Sequence, residues 1–324
     1  MGDITTRVEV PNENTEFYSR DLLINAKPRL LHTQFAQVRD IPAGSGTNII
    51  KFRKYGVLEA QTTPLVAGVT PKGKKLSSTS LTATVLYYGD FITLTDEVLI
   101  TTKDPLLTET AELLGDQVGL SLDTIFRDIL NAGTNVQYPD IATARTEITS
   151  GMIMTGDEID FATTTLEMAN ADYMTSRVDP STGYNTIPLK PCYVGIVHTY
   201  VANDIQKIVG FIPAEKYADK RDLMDYEFGS YNNVRFLKTP RAKVFTAGGA
   251  DGQNVYSTLI MAKHACGITR LSNLTLQNIV TPLGSAGGAD PLKQRATSGW
   301  KLSFTGLILQ QGFMVRIETS ASNH

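Results

Sequence analysis

A chain of 324 residues, 42% hydrophobic and 19% charged, can bury a sizeable core in one large or two modest domains and is not composed like a disordered protein. Its net charge of −3 is too balanced for a strongly basic nucleic-acid binder or a strongly acidic partner of cations. Two cysteines, Cys192 and Cys266, exclude a disulfide scaffold and read as buried thiols of a reducing compartment.

Residues 1–20 are polar, without the apolar centre of a signal peptide, and no later run approaches a membrane span. Folding in the cytoplasm, away from membranes, is the expectation. Asp21 to Phe35 has a helix-like pattern in Leu22, Leu23, Ala26, Leu30, Leu31 and Phe35, interrupted by Pro28, before the turn-rich Ile41 to Gly46. Such an arm needs a surface to lie on, its own domain or another chain. From Asn48 to Thr95 the pattern is that of strands. Ile49 to Tyr55 is one run, and Leu81, Ala83, Val85 and Tyr87 alternate with polar or exposed-type neighbours in another. The alternation changes phase around Gly89-Asp90, which predicts a β-bulge there. Between the runs, Thr62 to Ser80 carries Pro64, Gly68, Pro71 and Gly73, with Lys72, Lys74 and Lys75 at the tip. The whole is a long hairpin with a basic end. A two-stranded ribbon of that size is marginal in water unless its own domain or a neighbouring subunit covers it.

Asp104-Pro105 is a helix start, with a capping carboxylate and a proline suited to the first turn, and Gly133 supplies a left-handed exit. Between them Leu107, Ala111, Leu114, Val118, Leu122, Ile125 and Ile129 form one apolar face. Glu109, Glu112, Asp116, Asp123, Arg127 and Asp128 fall mostly off it. At about 1.5 Å per residue this helix would run ~40 Å, the width of a compact domain, and the rest of the chain is organised along it as along a spine. A strand-poor connection, Asn135 to Gly151, leads to a second helix opened by Thr155-Gly156-Asp157 and running through Ile159, Phe161, Leu166, Met168 and Tyr173. A loop at Asp179 to Gly183 closes it. Cys192 to His198 reads as a buried strand, Val201 to Val209 as a short helix, and Asn233 to Lys238, Lys243 to Thr246 and Val255 to Ala262 as strands. Gly248 to Asp251 and Gly287 to Asp290 share a tetrapeptide but no flanking repeat, so they are two loops and not a duplication. Trp300 to Ile308 and Phe313 to Ile317 close the chain as strands.

No catalytic constellation is present. His32, His198, His264 and His324 have no partner at ligand spacing, and Gly44-Ser45-Gly46 lacks the flanks of a nucleophile elbow. Asp157, Glu158 and Asp160 suit a helix N-terminus better than acid–base work. The three tip lysines lack interleaved aromatics; they fit a solvated tip or one that meets an acidic patch on a partner. No metal or cofactor is expected, and the chain does not read as an enzyme.

An arm, a long hairpin, a spine helix and a second β/α section, with no active site, resemble the major capsid protein of tailed bacteriophages, the Hong-Kong-ninety-seven-type α+β fold. More specifically, the chain looks like the branch related to the coliphage called N-four. The residues that carry this are Leu31-His32-Thr33-Gln34-Phe35-Ala36-Gln37, Thr62-Thr63-Pro64-Leu65, and Gly68-Val69-Thr70-Pro71 with Gly73 and Leu76-Ser77. Asp96, Asp104-Pro105 and Leu122-Asp123 follow, and Asp290-Pro291-Leu292-Lys293-Gln294-Arg295 leads into Gly299-Trp300-Lys301. The match spans most of the chain in order and is loosest over residues 135–250.

The resemblance implies an N-terminal arm (1–48), an extended loop (49–96), a peripheral domain (97–190 with 296–324, spine helix 104–132) and an axial domain (191–295). It implies hexamers and pentamers of an icosahedral head enclosing double-stranded DNA without sequence-specific binding. Scaffolding, portal and decoration proteins would be the other partners. Contacts between copies are expected at Pro64, Leu65, Val69, Pro71, Lys72, Lys74, Lys75 and Leu76 of the loop, and arm contacts at Leu30, Leu31 and Phe35. Leu107, Leu114, Val118, Leu122, Ile125 and Ile129 would face the core. Two rivals are an encapsulin-like compartment of the same fold and a β-rich polysaccharide-binding phage protein; the single Trp300 and the lack of a carboxylate pair weigh against the second.

Overall fold

The computed structural model describes residues 30–322 except 43, 45, 57, 65, 66, 69, 71, 72, 102–105, 179–185, 218–222, 273–275 and 286–290. The expected helix start at Asp104-Pro105, the loop at Asp179 to Gly183, the Gly287 to Asp290 loop, arm residues 1–29 and His324 lie outside the described residues.

The described chain begins with a 3-10 turn at His32–Phe35 and β1 (Gln37–Ile41), where a helix-like pattern had been expected up to Phe35. β1 is parallel to a strand far along the chain, so a non-local pairing decides its conformation. β2 (Ile49–Tyr55) and β3 (Ser78–Thr84) form a ribbon. β4 (Leu86–Thr95) follows after a single residue but belongs to another sheet. The expected second hairpin strand is therefore two strands, with the phase of alternation changing at Val85. No bulge interrupts β4 at Gly89-Asp90; its register runs unbroken from Leu86 to Thr95. Gly89 serves a different end there, since a Cβ on it would stand 2.7 Å from the Trp300 carbonyl oxygen.

The short α1 (Asp96–Thr101) leads to α2 (Leu106–Leu130), the spine. Its 25 residues span roughly 37 Å. Ala111, Leu114, Val118, Phe126 and Leu130 are buried, and Leu122 and Ile125 pack partly buried beside them. The deepest line in the last two turns thus runs through Asp123, Phe126 and Leu130, one position away from the expected Leu122, Ile125 and Ile129. Gly133 does not turn left-handed. A Cβ there would crowd Met314 Cε at 2.9 Å, Gln311 Oε1 at 3.2 Å and the Leu130 carbonyl oxygen at 3.2 Å.

β5 (Val136–Gln137) precedes α3 (Gly156–Met168), where the Glu158 carboxylate accepts the Thr155 N–H at 2.9 Å, a capping contact. Ile159, Ala162, Thr163 and Leu166 form its buried side. Phe161 and Met168, expected on that side, are 62% and 80% exposed, and the helix stops before Tyr173. β6 (Met174–Val178), β7 (Thr186–His198) and α4 (Thr199–Ile205) follow. Then come β8 (Ile212–Pro213), β9 (Glu227–Tyr231), β10 (Val234–Thr239), β11 (Val244–Phe245) and β12 (Val255–Met261). The chain closes with β13 (Cys266–Leu271), β14 (Leu276–Thr281), β15 (Arg295–Ile308) and β16 (Met314–Thr319).

Two sheets make the body of this α+β chain. In one, β15 is a common rail: β4 pairs with Arg295 to Phe304, β14 with Thr297 to Leu302, and β13 with Thr305 to Ile308, β1 lying outside β13. α2 packs on this rail, with the Phe126 ring edge-on to Phe304 at 6.4 Å. The other sheet runs β5-β16-β12-β7-β10-β9-β8, with β6 beside β7 and β11 beside β12. β7 and β12 are covered on both faces. Val194, Ile196, Leu259 and Met261 join the core under α2, whereas Tyr193, Val197, Tyr256 and Ile260 join a second core under α3 and α4. That double cover is why β12 is buried at every position.

Leu114→Asp would place an unpaired carboxylate where the wild-type side chain is 1% exposed. The expected outcome is loss of soluble, cooperatively unfolding protein, checked by expression and thermal melting. A soluble variant with a wild-type melt would contradict the placement of α2.

Candidate inter-subunit surfaces

The ribbon is the part of the chain with least cover. β2 and β3 pair from Ile49↔Thr84 to Tyr55↔Ser78 and, among the described residues, join no other strand. Beyond them the Gly56 N–H donates to the Ser77 carbonyl at 2.9 Å and Lys74 Nζ to the Glu59 carbonyl at 2.7 Å. The strand pairing itself runs from Ile49 to Tyr55, about 20 Å at the usual rise of a strand. One face pairs half-buried Ile50 and Phe52 with Ala83 and Leu81 near the root. The other sets exposed Lys51, Arg53 and Tyr55 opposite Thr82, Ser80 and Ser78. Val85, 1% exposed, anchors the root, its N–H donating to the Asn48 carbonyl at 2.9 Å.

The arm residues next to the body are fixed to their own subunit. The backbone N–H groups of Leu31 and His32 donate to Asp123 Oδ1 at 2.9 and 2.8 Å, and His32 Nδ1 lies 2.8 Å from Oδ2. Leu31 and Phe35 insert into the core beneath α2. Burial pushes the Asp123 carboxyl up, but the His32 ring and the hydrogen bonds from His32 and Leu31 outweigh it and hold the group below its ordinary value. Gln34 extends the junction: its Nε2 donates to the Leu30 carbonyl at 2.7 Å and its Oε1 accepts from Arg177 at 3.1 Å.

Beside the ribbon's root, a groove lies between β4 and the outer side of α2. It encloses about 560 Å³ and is lined by Tyr88, Asp90, Gln117, Leu120, Thr124 and Ile125 among others. Gln117 fixes its floor, donating to Asp90 Oδ2 at 2.5 Å and accepting from Trp300 Nε1 at 3.0 Å. Elsewhere the polar side chains stiffen the sheets. Arg235 grips the buried Glu227 through Nε and Nη2 at 2.7 and 2.5 Å, and Arg145 grips the fully buried Glu318 at 2.6 and 2.7 Å.

The titratable groups that chemistry would use are occupied by structure. Burial pushes the Cys192 thiol to about 11 and the Cys266 thiol to about 12, far from a reactive thiolate. His198 caps α4, accepting the Tyr200 N–H at 3.2 Å. Among the described residues no three His, Cys, Asp or Glu side chains group as a metal site requires.

Of the expected loop contacts, Pro64, Lys74, Lys75 and Leu76 are exposed, Leu76 by 66%. Leu65, Val69, Pro71 and Lys72 lie outside the described residues. Leu31 and Phe35 are buried in their own chain and Leu30 is half-buried, which answers which surface this part of the arm lies on. Leu114 and Val118 face the core, Leu122, Ile125 and Ile129 are half-buried, and the Leu107 side chain is outside the described residues. The sequence reading missed Asp123, which it set off the apolar face. Sequence reasoning named it only beside Leu122 among the motifs of the resemblance, and nothing local points to a partner 91 residues away.

The family model described as phage capsid protein matches residues 78–263. No curated protein matches the chain. The chain is similar to the capsid of Ralstonia phage GP4, at 13% identity over 99% of this chain and 98% of that one, with a TM-score of 0.69. It is similar to the cyanophage Pam1 capsid, at 14% identity over 93% of each chain and a TM-score of 0.65. The head structure of Helicobacter pylori bacteriophage KHP40 gives 12% identity over 89% of this chain and 88% of that one, with a TM-score of 0.64. At such identities the likeness is one of fold.

The Asp123 junction makes a signed pH prediction. A carboxyl held below its ordinary value adds stability that is complete above about pH 4 and disappears as pH falls through the folded-state value. Asp123→Asn should therefore cost about 1–3 kcal/mol at neutral pH in chemical denaturation, and the gap to wild type should close below about pH 4. A gap independent of pH would show that the carboxylate's charge contributes nothing.

Proposed function

The chain belongs to the phage capsid protein family and is a structural subunit of a phage head shell, and we propose that it closes that shell by laying its β2–β3 ribbon on neighbouring copies. The observation that carries the proposal is the ribbon's exposure. A two-stranded sheet about 20 Å long, joined by no other strand among the described residues, with Tyr55, Leu58 and Leu76 each more than half exposed, has too little of its own chain to rest on.

The subunits would assemble as hexamers and pentamers around double-stranded DNA, with closed symmetry multiplying contacts that are individually modest. The net charge of −3 supports a wall that encloses DNA without gripping it. Assembly in the host cytoplasm, with separate scaffolding, portal and decoration proteins, belongs to the same proposal. We keep the division into arm (1–48), extended loop (49–96), peripheral (97–190 with 296–324) and axial (191–295) regions, and change it where strand pairing argues otherwise. β4 pairs with β15, so the projecting loop is taken as 49–84. β13 and β14 also pair with β15, which draws 266–281 towards the peripheral region.

Deleting residues 64–77 should leave a folded subunit with a wild-type melt that no longer forms closed particles in negative stain. Normal particles from the deleted chain would remove the ribbon from the assembly mechanism. Particles that carry cellular enzymes and no DNA, by their 260/280 nm ratio, would favour a compartment over a phage head.

A further inference from the structure

Where the arm meets the body, the fold gathers positive charge that the assembly of a shell does not use. A pocket of about 390 Å³ lies between the 3-10 turn with β1, the strand β6 and the turn that joins β12 to β13. Phe35, Val38 and Met174 give it apolar walls, and Arg39, Arg177, Lys263 and His264 also line it. These four come from three segments far apart in sequence, so only folding brings them together.

Both guanidinium groups are oriented by neutral partners. Arg177, 9% exposed, donates through Nη1 to Gln34 Oε1 at 3.1 Å, and the Asp225 carboxylate stands off at 3.8 Å on a side chain that is 60% exposed. Gln37 turns its amide oxygen to Arg39 and accepts from Nη2 and Nε at 3.0 and 3.1 Å. Asp40, also at the pocket, is engaged by Arg270 at 3.0 Å. Among the described residues neither Arg39 nor Lys263 forms an ion pair. An amide oxygen aims a guanidinium without cancelling its charge, so a positive excess remains beside apolar walls, where charge is poorly screened. The His264 ring registers that excess. Burial, and then the charges of Lys263 and Arg39, hold it below its ordinary value, with Asp172 opposing them in part.

We propose that this pocket is an oxyanion site for phosphate groups, taken either as free phosphate or from the phosphodiester backbone of DNA. Two pre-aimed guanidinium forks with an ammonium beside them suit the several oxygens of a phosphate better than the two of a carboxylate. Only the DNA source rests on the shell-subunit reading, since a head would supply that DNA. One such site per copy would touch a genome at separated points and would leave the wall without a continuous basic surface.

The test is an NMR titration of the His264 ring in the full-length subunit, with the signal assigned by its loss in His264→Gln. In the wild type, millimolar inorganic phosphate should raise the pH at which the ring titrates by about 0.5 or more over chloride of equal ionic strength. Arg39→Gln with Lys263→Gln removes two side chains that are not buried. In that variant the ring should titrate at higher pH from the outset, because two repelling charges are gone, and phosphate should no longer move it. A short DNA duplex that displaces phosphate would identify the backbone as a source the site accepts; a duplex that leaves phosphate in place would restrict the site to free phosphate. Acetate that moves the ring as far as phosphate does would overturn the phosphate assignment in favour of a carboxylate-bearing partner. A wild-type ring unmoved by phosphate, or one moved equally in the double variant, would overturn the site. None of these outcomes bears on the ribbon, whose own deletion tests the shell-subunit reading.

Discussion

Three hydrogen bonds converge on one buried carboxylate, and the order of the whole chain passes through it. Asp123 sits on the inner side of α2 at 2% exposure, where an unpartnered charge would be costly. The N–H groups of Leu31 and His32 and the His32 ring satisfy it, and in doing so they bring the start of the described chain, some ninety residues away, onto the spine. Leu31 and Phe35 then fill the core next to Phe126, and β1 can run on to pair with β13. The junction thus joins the arm, the spine helix and the sheet built on β15.

The second constraint is geometrical. β15 is fourteen residues long and serves β4 on one side and β13 and β14 in succession along its length. It needs close backbone approach at two places. A Cβ on Gly306 would stand 2.5 Å from the Phe126 ring, and one on Gly299 would stand 2.6 Å from Phe91 Cβ. Between Ile41 and Leu86, β2 and β3 pair with no strand of the two body sheets among the described residues. The root is fixed by the buried Val85, and the described residues from Gly56 to Ser77 are exposed.

Buried ionisable groups serve the same packing. The buried carboxylates Glu227 and Glu318 are each held by arginine, and both thiols are buried, Cys192 beside the Arg235–Glu227 pair. These groups tie strands together within the sheets, a use of ionisable side chains suited to a wall that must resist load.

What the sequence determined by itself was what short-range pattern can carry. The spine's apolar spacing, the strands from Cys192 to His198 and Val255 to Ala262, the closing strands, the buried cysteines and a hairpin with a basic tip are all legible in runs of a few residues. The resemblance of ordered motifs then reached the family. Only the tertiary structure decided which face of α2 is innermost, because Asp123 is polar by composition and buried by its partners ninety residues upstream. It alone showed that Leu81 to Thr95 is two strands in two sheets, since an alternating pattern says that a strand has an inner face and not which strand it pairs with. The same holds for β1 and β13, whose paired residues lie 230 apart in sequence, as Gln37 and Gly267 do. Local sequence sets the period of each element; long-range packing chooses the neighbour.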